Sequence, residues 1–495
     1  MILTRTVVLM TLTVASQCVQ LTFPPSFKFG AATAAYQIEG AWNVSDKSES
    51  VWDVFTHQQP SPIDDGSTGD VACDSYHLWE RDVEIAAEMN LDFYRFSLSW
   101  PRILPDGFSN RVSEDGIRYY NNLIDGLIAR GIEPVVTIYH WDLPQKLQDL
   151  GGWTNPLIAE WFSDYARVVY EHFGDRVKTW LTINEPLVVC DIVYNTGTMG
   201  IPIQDDSIFP YICTKNLLLA HAKAWRVYDE EFKSLYNGKV SIANHFIWFE
   251  PASEDKEDIE LSELANEFNI GRYSHPIYSK EGGWPPMLEK KVAENSAAEG
   301  FPRSRLPAFT PEEIDLIRGT YDFFGLNHYG ARRIRRTKPG EAPYRWDMLV
   351  AYDLGDFILE IGEDWTPTNA EWLFIYREST RLVLSWLKDH YGDIEYFITE
   401  TGISTKDGLD DQDRVKHMRE QLSQILLSIY EDDVDVTAYS YWSLIDNFEW
   451  YRGYVEKFGL YQVDYTDPAK TRTPRSSAKY YTSVTTNRAL DKFYP

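Results

Sequence analysis

The sequence predicts an α/β protein built as a single (β/α)8 barrel, a closed ring of eight parallel strands with helices outside. The chain has 495 residues, 44% of them hydrophobic, which is enough for a large core. Eight short apolar runs rich in β-branched and aromatic residues alternate with amphipathic stretches or long loops. Because no Gly-, Ser- or Pro-rich linker interrupts this alternation, one barrel explains the pattern better than two domains do.

The apolar runs are the predicted strands. They begin at Phe27, Leu91, Ile132, Val177, Lys239, Tyr321, Glu395 and Val436. The amphipathic stretches between them predict helices over residues 117–130, 156–173, 216–236 and 372–391.

Residues 1–20 are predicted to form a secretory signal peptide, and residues 21–495 the barrel domain. Arg5 precedes an apolar run over residues 7–14, and the small residues Ala15 and Ser16 follow it. A short membrane anchor is the alternative, but the run is far below the ~20 apolar residues that span a bilayer. We therefore expect a secreted, extracellular protein, and the sequon that starts at Asn43 predicts a glycan there.

Charge and cysteine content restrict the function classes. Lys plus Arg number 47 against 75 for Asp plus Glu, a net charge of −28, which argues against nucleic acid or an anionic membrane as partner. Without Cys18 in the signal, Cys73, Cys190 and Cys213 remain; Cys190 and Cys213 could pair, or all three could be buried thiols. No metal-ligand spacing and no phosphate-binding glycine loop is present, so no cofactor and no metal are expected.

Polar and aromatic residues stand at the predicted strand ends, where a core would not need them. They are Gln37, Glu39, Arg95, His140, Trp141, Asn184, Glu185, Asn327, Tyr329, Glu400 and Trp442. Any one of them could be an ordinary loop residue. Since the C-terminal strand ends of a barrel surround one pocket, together they predict a site there.

Two of these residues are carboxylates placed alike, Glu185 in TINEP and Glu400 in ITETG. Cleavage of an acetal needs one protonated carboxyl for the leaving oxygen and one ionised carboxylate on the opposite face of the sugar. Both segments match signatures of glycoside hydrolase family 1, the β-glucosidases, which the chain resembles from about residue 27 to residue 480. The resemblance implies a retaining double displacement on a small-molecule β-glucoside, with Glu400 as nucleophile and Glu185 as acid/base. It also implies that Arg95 and Tyr329 hold the nucleophile.

The resemblance extends to residues that would bind the sugar. Those that match the glycone subsite are Gln37, His140, Asn184, Trp442, Glu449 and Trp450, and Trp372 matches the aromatic platform under the aglycone. The sequence departs from the family pattern at Thr401, over residues 194–206 and over residues 377–380. The last two departures bear on which glucoside is cut.

Two alternatives stay open. A β-thioglucosidase of the insect myrosinase type would retain Glu185 and act on an anionic glucosinolate. Arg332, Arg333, Arg335 and Arg336 favour it, because Arg332 or Arg333 could hold a sulfate, whereas Asp191 would oppose one. A non-catalytic sugar-binding barrel is the remote alternative: such a relative is expected to have lost one catalytic carboxylate, whereas this sequence has both Glu185 and Glu400.

Overall fold

Eight parallel strands close into a ring in the computed structural model, which describes residues 21–193, 207–344 and 351–492. In chain order the strands are β1 (Lys28–Ala32), β2 (Phe93–Ser97), β3 (Glu133–Tyr139), β4 (Thr179–Asn184), β5 (Lys239–Pro251), β6 (Phe324–Arg336), β7 (Phe357–Glu360), β8 (Thr366–Pro367), β9 (Phe374–Ile375), β10 (Tyr396–Thr401), β11 (Val436–Trp442), β12 (Tyr461–Val463) and β13 (Arg472–Pro474). The ring runs β1 to β6, then β10 and β11, and β11 pairs with β1. The predicted (β/α)8 barrel is confirmed, and each apolar run contains one ring strand.

Helices cover the outside of the ring and its rims. They span Ala35–Ile38, Val51–Thr56, Ser75–Glu88, Trp100–Ile103, Glu114–Ile128, Gln145–Asp149, Ile158–Phe173, Phe209–Val227, Lys233–Tyr236, Lys256–Asn266, Arg272–Tyr278, Pro286–Ala298, Pro311–Ile317, Ala351–Leu354, Ser379–Tyr391, Gln412–Tyr430 and Ser476–Asn487. Turns of π-helix lie at Val188–Val193, Tyr228–Phe232 and Glu267–Gly271, and 3₁₀ turns at Gly152–Thr154 and Trp450–Arg452.

Local sequence explains where these helices begin. The helix Glu114–Ile128 starts after Ser113, whose hydroxyl accepts a hydrogen bond from the Gly116 N–H at 3.1 Å, and two acidic residues occupy its first turn. The predicted helix over 372–391 begins only at Ser379, because a turn and the short strand β9 come first. Gln37 lies in a helical turn after β1 rather than at a strand end.

The two ends of the ring differ in chemistry. The N-terminal end is filled by an apolar layer of inward-facing residues, Phe93, Val135, Leu181, Ala243, Phe323, Phe397 and Ala438. The C-terminal end carries the buried polar residues that follow the strands. Among the described helices, none combines the length and the apolar character that crossing a bilayer needs.

Of the three cysteines that follow the predicted signal peptide, two form a disulfide and one is a free thiol. Cys190 and Cys213 are joined, which ties the π-helical turn after β4 to the helix Phe209–Val227. Cys73 is a free thiol, buried, with its Sγ 3.0 Å from the carbonyl oxygen of Asp446. Burial raises the pKa of this thiol to about 12, so it is an unreactive core residue.

A buried ion pair fastens the C-terminal helix to the barrel. Both terminal nitrogens of Arg475 donate to Asp446, each at 2.8 Å, and neither side chain is exposed to solvent. Arg475 also donates to the carbonyl oxygens of Gly408 and Gly459. Removing one partner would leave a buried charge uncompensated.

We expect Arg475→Met to lower the free energy of unfolding by roughly 3 to 5 kcal/mol, because Asp446 keeps its charge without a counter-ion. Arg167→Met is the matched control: Arg167 pairs with Glu231 at 3.0 Å on the surface, where loss of a pair costs less than about 1 kcal/mol. Urea denaturation of both variants checks this. If the two variants lose equal amounts of stability, the buried pair does not contribute more than the surface pair.

Candidate active site

Glu185 leaves the end of β4 in a left-handed backbone conformation, with φ of 49°. Its N–H donates to the carbonyl oxygen of Ala243 on β5 at 2.8 Å, which fixes this exit from the strand. Such a backbone is uncommon for a residue with a side chain and is often found at functional sites. The carboxyl is buried at the C-terminal mouth, where Asn327 donates to its Oε1 at 2.7 Å.

Glu400 lies on β10 with a donor on each carboxyl oxygen. Arg95 Nη1 donates to Oε1 at 2.6 Å, and the Tyr329 hydroxyl donates to Oε2 at 2.9 Å. Gly402 is required two residues later, since a Cβ there would lie 2.0 Å from the carbonyl oxygen of Trp442. The arrangement holds the carboxylate rigidly and favours its ionised form.

Opposing effects set the acidity of this pair. Burial raises the pKa of Glu400 to about 7, the Arg95 guanidinium opposes the rise, and the negative charge of Glu185 adds to it. The hydrogen bonds from Arg95 and Tyr329 therefore favour the ionised form of Glu400 against its burial.

Arg95 joins the carboxylates to the barrel wall. Its Nη2 donates to Asn184 Oδ1 at 2.7 Å and its Nε donates to Thr137 Oγ1 at 3.0 Å. Asn327 Nδ2 donates to the same Asn184 oxygen at 3.0 Å, as well as to Glu185. These bonds cross β2, β3, β4 and β6, so the ring itself positions both carboxylates.

His140 completes the wall as a neutral donor. Its Nε2 lies 3.2 Å from Asn184 Nδ2, so Nε2 accepts and the proton sits on Nδ1, which has no hydrogen-bond partner among the described residues. Burial, with the Arg95 charge added, holds the pKa of His140 well below its usual range. The imidazole lies nearly parallel to the rings of Trp442 and Trp450, 5.7 and 5.9 Å away.

Gln37 and Glu449 face each other on the next part of the mouth. Gln37 Nε2 donates to Asn447 Oδ1 at 2.9 Å and to Glu449 Oε2 at 3.3 Å. Burial first, and then the charges of Glu456, Glu400 and Glu185, raise the pKa of Glu449 to about 8. The protonated form of this carboxyl therefore persists to higher pH than is usual for a glutamate, and in that form it can both donate and accept, as sugar hydroxyls require.

Trp372 lies beside Tyr329. It lies in a turn, half-buried, with its ring centroid 6.0 Å from that of Tyr329. Arg332 is buried beside it and donates to the Trp372 carbonyl oxygen, and its guanidinium carbon is 5.3 Å from the ring centroid of Phe374. The structure therefore brings Arg332, among the arginines of β6, to the platform expected for the aglycone.

The other arginines of this strand point elsewhere. Arg333 lies 3.5 Å from Glu250 and over the ring of Trp365, and Arg335 pairs with Glu341 and Glu360. Arg336 donates to the Leu354 carbonyl oxygen. Successive residues of a strand face opposite sides, which separates Arg333 from Arg332.

The charge of Asp191 is paired and does not face the mouth of the barrel as a free carboxylate. It is buried in an ion pair with Arg272, and the Tyr273 hydroxyl lies 3.5 Å from its Oδ1. The expectation that Asp191 opposes an anionic group is therefore wrong, because its charge is compensated. Residues 194–206, the unusual segment that follows, lie outside the described residues, and Asn43 is exposed in a turn.

His245 on β5 is a site residue that the sequence analysis missed. Its Nδ1 lies 3.4 Å from Glu185 Oε1, and the side chain is buried. The signal was available, since a histidine within the apolar run of β5 is as unusual as the polar strand ends. Thr137 and Thr399 were also missed, because threonine is ordinary in strands.

Comparison with known proteins shows what the whole chain is similar to. The sequence model of glycosyl hydrolase family 1 matches residues 19–490. Myrosinase 1 of Brevicoryne brassicae is 44% identical over 464 residues, which are 93% of this chain and 98% of that protein. The solved structure of aphid myrosinase, 43% identical, covers 95% of this chain and 100% of its own, with a TM-score of 0.89.

A rice β-glucosidase structure is also similar. It is a mutant in a covalent complex with glucose, 36% identical, with a TM-score of 0.85 over 94% of this chain and 99% of that chain. The chain is thus similar both to proteins named myrosinase and to a protein named β-glucosidase.

The raised pKa of Glu449 predicts that Glu449→Gln increases the stability of the fold at high pH but not at low pH. An acid whose folded pKa is about 8 and whose unfolded pKa is about 4.3 destabilises the fold as pH rises between these values. The glutamine variant escapes this, so its stability relative to the wild type should be unchanged near pH 4 and higher by several kcal/mol near pH 8.

Chemical denaturation at the two pH values measures this difference. Glu88→Gln is the control, because a hydrogen bond from Arg81 lowers the pKa of Glu88 and no gain at high pH is expected. If the variant and the wild type differ in stability by the same amount at pH 4 and at pH 8, ionisation of Glu449 does not destabilise the fold.

Proposed function

The chain belongs to glycosyl hydrolase family 1, and from this premise we propose that it is a retaining β-glucosidase, which hydrolyses β-D-glucosides to β-D-glucose and an aglycone. The observation that carries the proposal is the pair of buried carboxyl groups at the mouth. Glu400 has Arg95 and Tyr329 as donors, whereas Glu185 has Asn327 and His245 beside it. One carboxyl is thus equipped to attack and the other to transfer a proton.

In the first proposed step Glu400 attacks the anomeric carbon while the bond to the aglycone oxygen breaks. Glu185 gives its proton to that oxygen, and a glucosyl ester forms on Glu400. In the second step Glu185 takes a proton from water, the water oxygen bonds to the anomeric carbon, and Glu400 is released as a carboxylate. Two inversions give net retention, and the covalent glucose complex of the rice relative supports such an intermediate.

Glucose recognition is proposed for the residues that surround Glu449. The protonated Glu449, the Gln37 amide and the His140 Nδ1–H offer donors and acceptors, and Trp442 and Trp450 supply aromatic faces for the C–H side of the ring. Asn184, whose side chain contacts Arg95, Asn327 and His140, is proposed to bind the 2-hydroxyl.

A β-thioglucosidase is the second candidate, and a specific observation favours it. Arg332 lies beside Trp372, and the chain is 44% identical to an enzyme named myrosinase. A guanidinium there could pair with the sulfate of a glucosinolate. Asp191, which would have opposed this, is neutralised by Arg272.

We also propose secretion. The support is the order of residues in 1–20, the exposed sequon at Asn43, and the Cys190–Cys213 disulfide, a bond typical of oxidising compartments.

The two carboxylates should respond differently to amide substitution. Glu400→Gln removes the nucleophile, so turnover of every glucoside should fall below about a hundredth of the wild type. Glu185→Gln should retain the glucosylation step with nitrophenyl glucosides, whose leaving group needs little protonation, and azide should restore its turnover. Proton NMR of the first product should show β-glucose; α-glucose first would contradict double displacement.

Arg332→Ala separates the two substrate classes. If Arg332 binds a sulfate, kcat/KM for a glucosinolate should fall roughly ten- to a hundredfold, from a charge-assisted contact of about 1.5 to 3 kcal/mol, with little change for a neutral aryl glucoside. Arg335→Ala is the control, since Arg335 already pairs with two carboxylates. Equal losses on both substrates would instead assign Arg332 to holding the Trp372 turn through its main-chain contact.

A further inference from the structure

Three potential metal ligands converge on the outer surface of the barrel, away from the carboxylate pair. Glu263 is on the helix Lys256–Asn266, Glu267 begins the π-helical turn Glu267–Gly271, and His390 is near the end of the helix Ser379–Tyr391. Each offers one ligand atom, and these atoms lie within 4.8 Å of one another. Ligands at ~2.1 Å from a tetrahedral zinc ion are about 3.4 Å apart, so small side-chain shifts would bring all three onto one ion.

His390 is oriented as metal-binding histidines are. Its Nδ1 lies 2.8 Å from the Trp386 carbonyl oxygen, one helical turn back, and donates its proton there. The imidazole is stacked on the Trp386 ring at 3.6 Å, which fixes its plane. Nε2 faces the cluster, 3.5 Å from Glu263 Oε1. A main-chain acceptor on the distal nitrogen is the usual outer contact of a histidine ligand.

Glu267 supplies the independent observation that points to a ligand. Its Oε2 is shielded from solvent and has no hydrogen-bond partner among the described residues. The carboxyl folds back over Gly271, where a Cβ would lie 2.0 Å from Oε2. A buried carboxylate oxygen without a partner is costly unless something binds it.

We propose that Glu263, Glu267 and His390 form a binding site for a divalent transition-metal ion of the zinc type. The donor set is one imidazole nitrogen and two carboxylates, which suits Zn²⁺ rather than Mg²⁺ or Ca²⁺, because those ions prefer oxygen alone. His390 and Glu263 are partly exposed, so the ion has a route from solvent and water can complete its coordination.

The bound ion would fasten two helical segments that contact the long strands β5 and β6. The helix Lys256–Asn266 packs on both strands, and the helix Ser379–Tyr391 also contacts both. None of the three ligands contributes to the contacts of Glu185 or Glu400. The expected role is therefore stabilisation of the fold, independent of the proposed function, since an ion that binds only the folded state raises its stability.

The test uses the full mature chain without a polyhistidine tag, stripped with a chelator and titrated with Zn²⁺ by calorimetry. One ion per chain should bind with saturation, and Mg²⁺ should not compete. Glu267→Gln and His390→Gln should each weaken the affinity at least about tenfold. His77→Gln is the matched control: His77 is a partly exposed histidine 2.6 Å from Asp74 outside the cluster, and its loss should leave binding unchanged.

Gly271→Ala tests the geometry without removing a ligand. Gly271 has an ordinary helical backbone, so alanine is tolerated locally, but its methyl group must displace the Glu267 carboxyl. We expect a folded variant with Zn²⁺ affinity lowered several-fold or more. Co²⁺ gives a second readout, because its visible d–d absorption should appear in the wild type and be lost in His390→Gln.

Two results would overturn the proposal. One is the absence of saturable binding of Zn²⁺ to the wild type, which would make the cluster a simple Glu263–His390 ion pair. The other is equal Zn²⁺ affinity in the wild type, Glu267→Gln and His390→Gln, which would place the ion elsewhere.

Discussion

The contact between Arg95 and Glu400 is the interaction on which the site depends. Both side chains are almost fully buried, and a buried ion is stable only when its partner and its remaining donors or acceptors are all in place. The guanidinium meets this condition by also binding Thr137, Asn184 and the Thr399 carbonyl oxygen. Those acceptors come from β3, β4 and β10, so the closure of the strand ring is the condition for charge balance at its centre.

Burial then sets the protonation pattern of the mouth. Glu400, with a cation and a tyrosine, can be ionised, whereas Glu449, beside the Gln37 amide and near three other carboxylates, keeps its proton to higher pH. His140 stays neutral for the complementary reason, since burial and the Arg95 charge both disfavour a second cation. Burial thus disfavours the charged form of all three groups, and the fixed charge of Arg95 opposes this for Glu400 and reinforces it for His140.

Sequence and structure agree where the information is local. Strand periodicity located all eight ring strands, and the segments TINEP and ITETG located both carboxylates, because each depends on residues adjacent in the chain. Partners distant in sequence were not predictable. Arg272 lies 81 residues from Asp191, and without it Asp191 was interpreted as a free charge. Likewise, four clustered arginines gave no indication that the alternation of β6 turns Arg332 to Trp372 and Arg333 to Glu250.

The contrast between the two ends of the ring explains how such a site is tolerated. Its buried carboxyls, its left-handed Glu185 and its half-satisfied amides all cost stability. The opposing contributions lie elsewhere: the apolar layer at the N-terminal end, the Arg475–Asp446 pair and the disulfide from Cys190. That disulfide joins the turn that begins three residues after Glu185 to a long helix. The segment that carries the proposed acid/base is therefore supported by a covalent bond, while the nucleophile relies on Arg95, so the two carboxylates are held by different means.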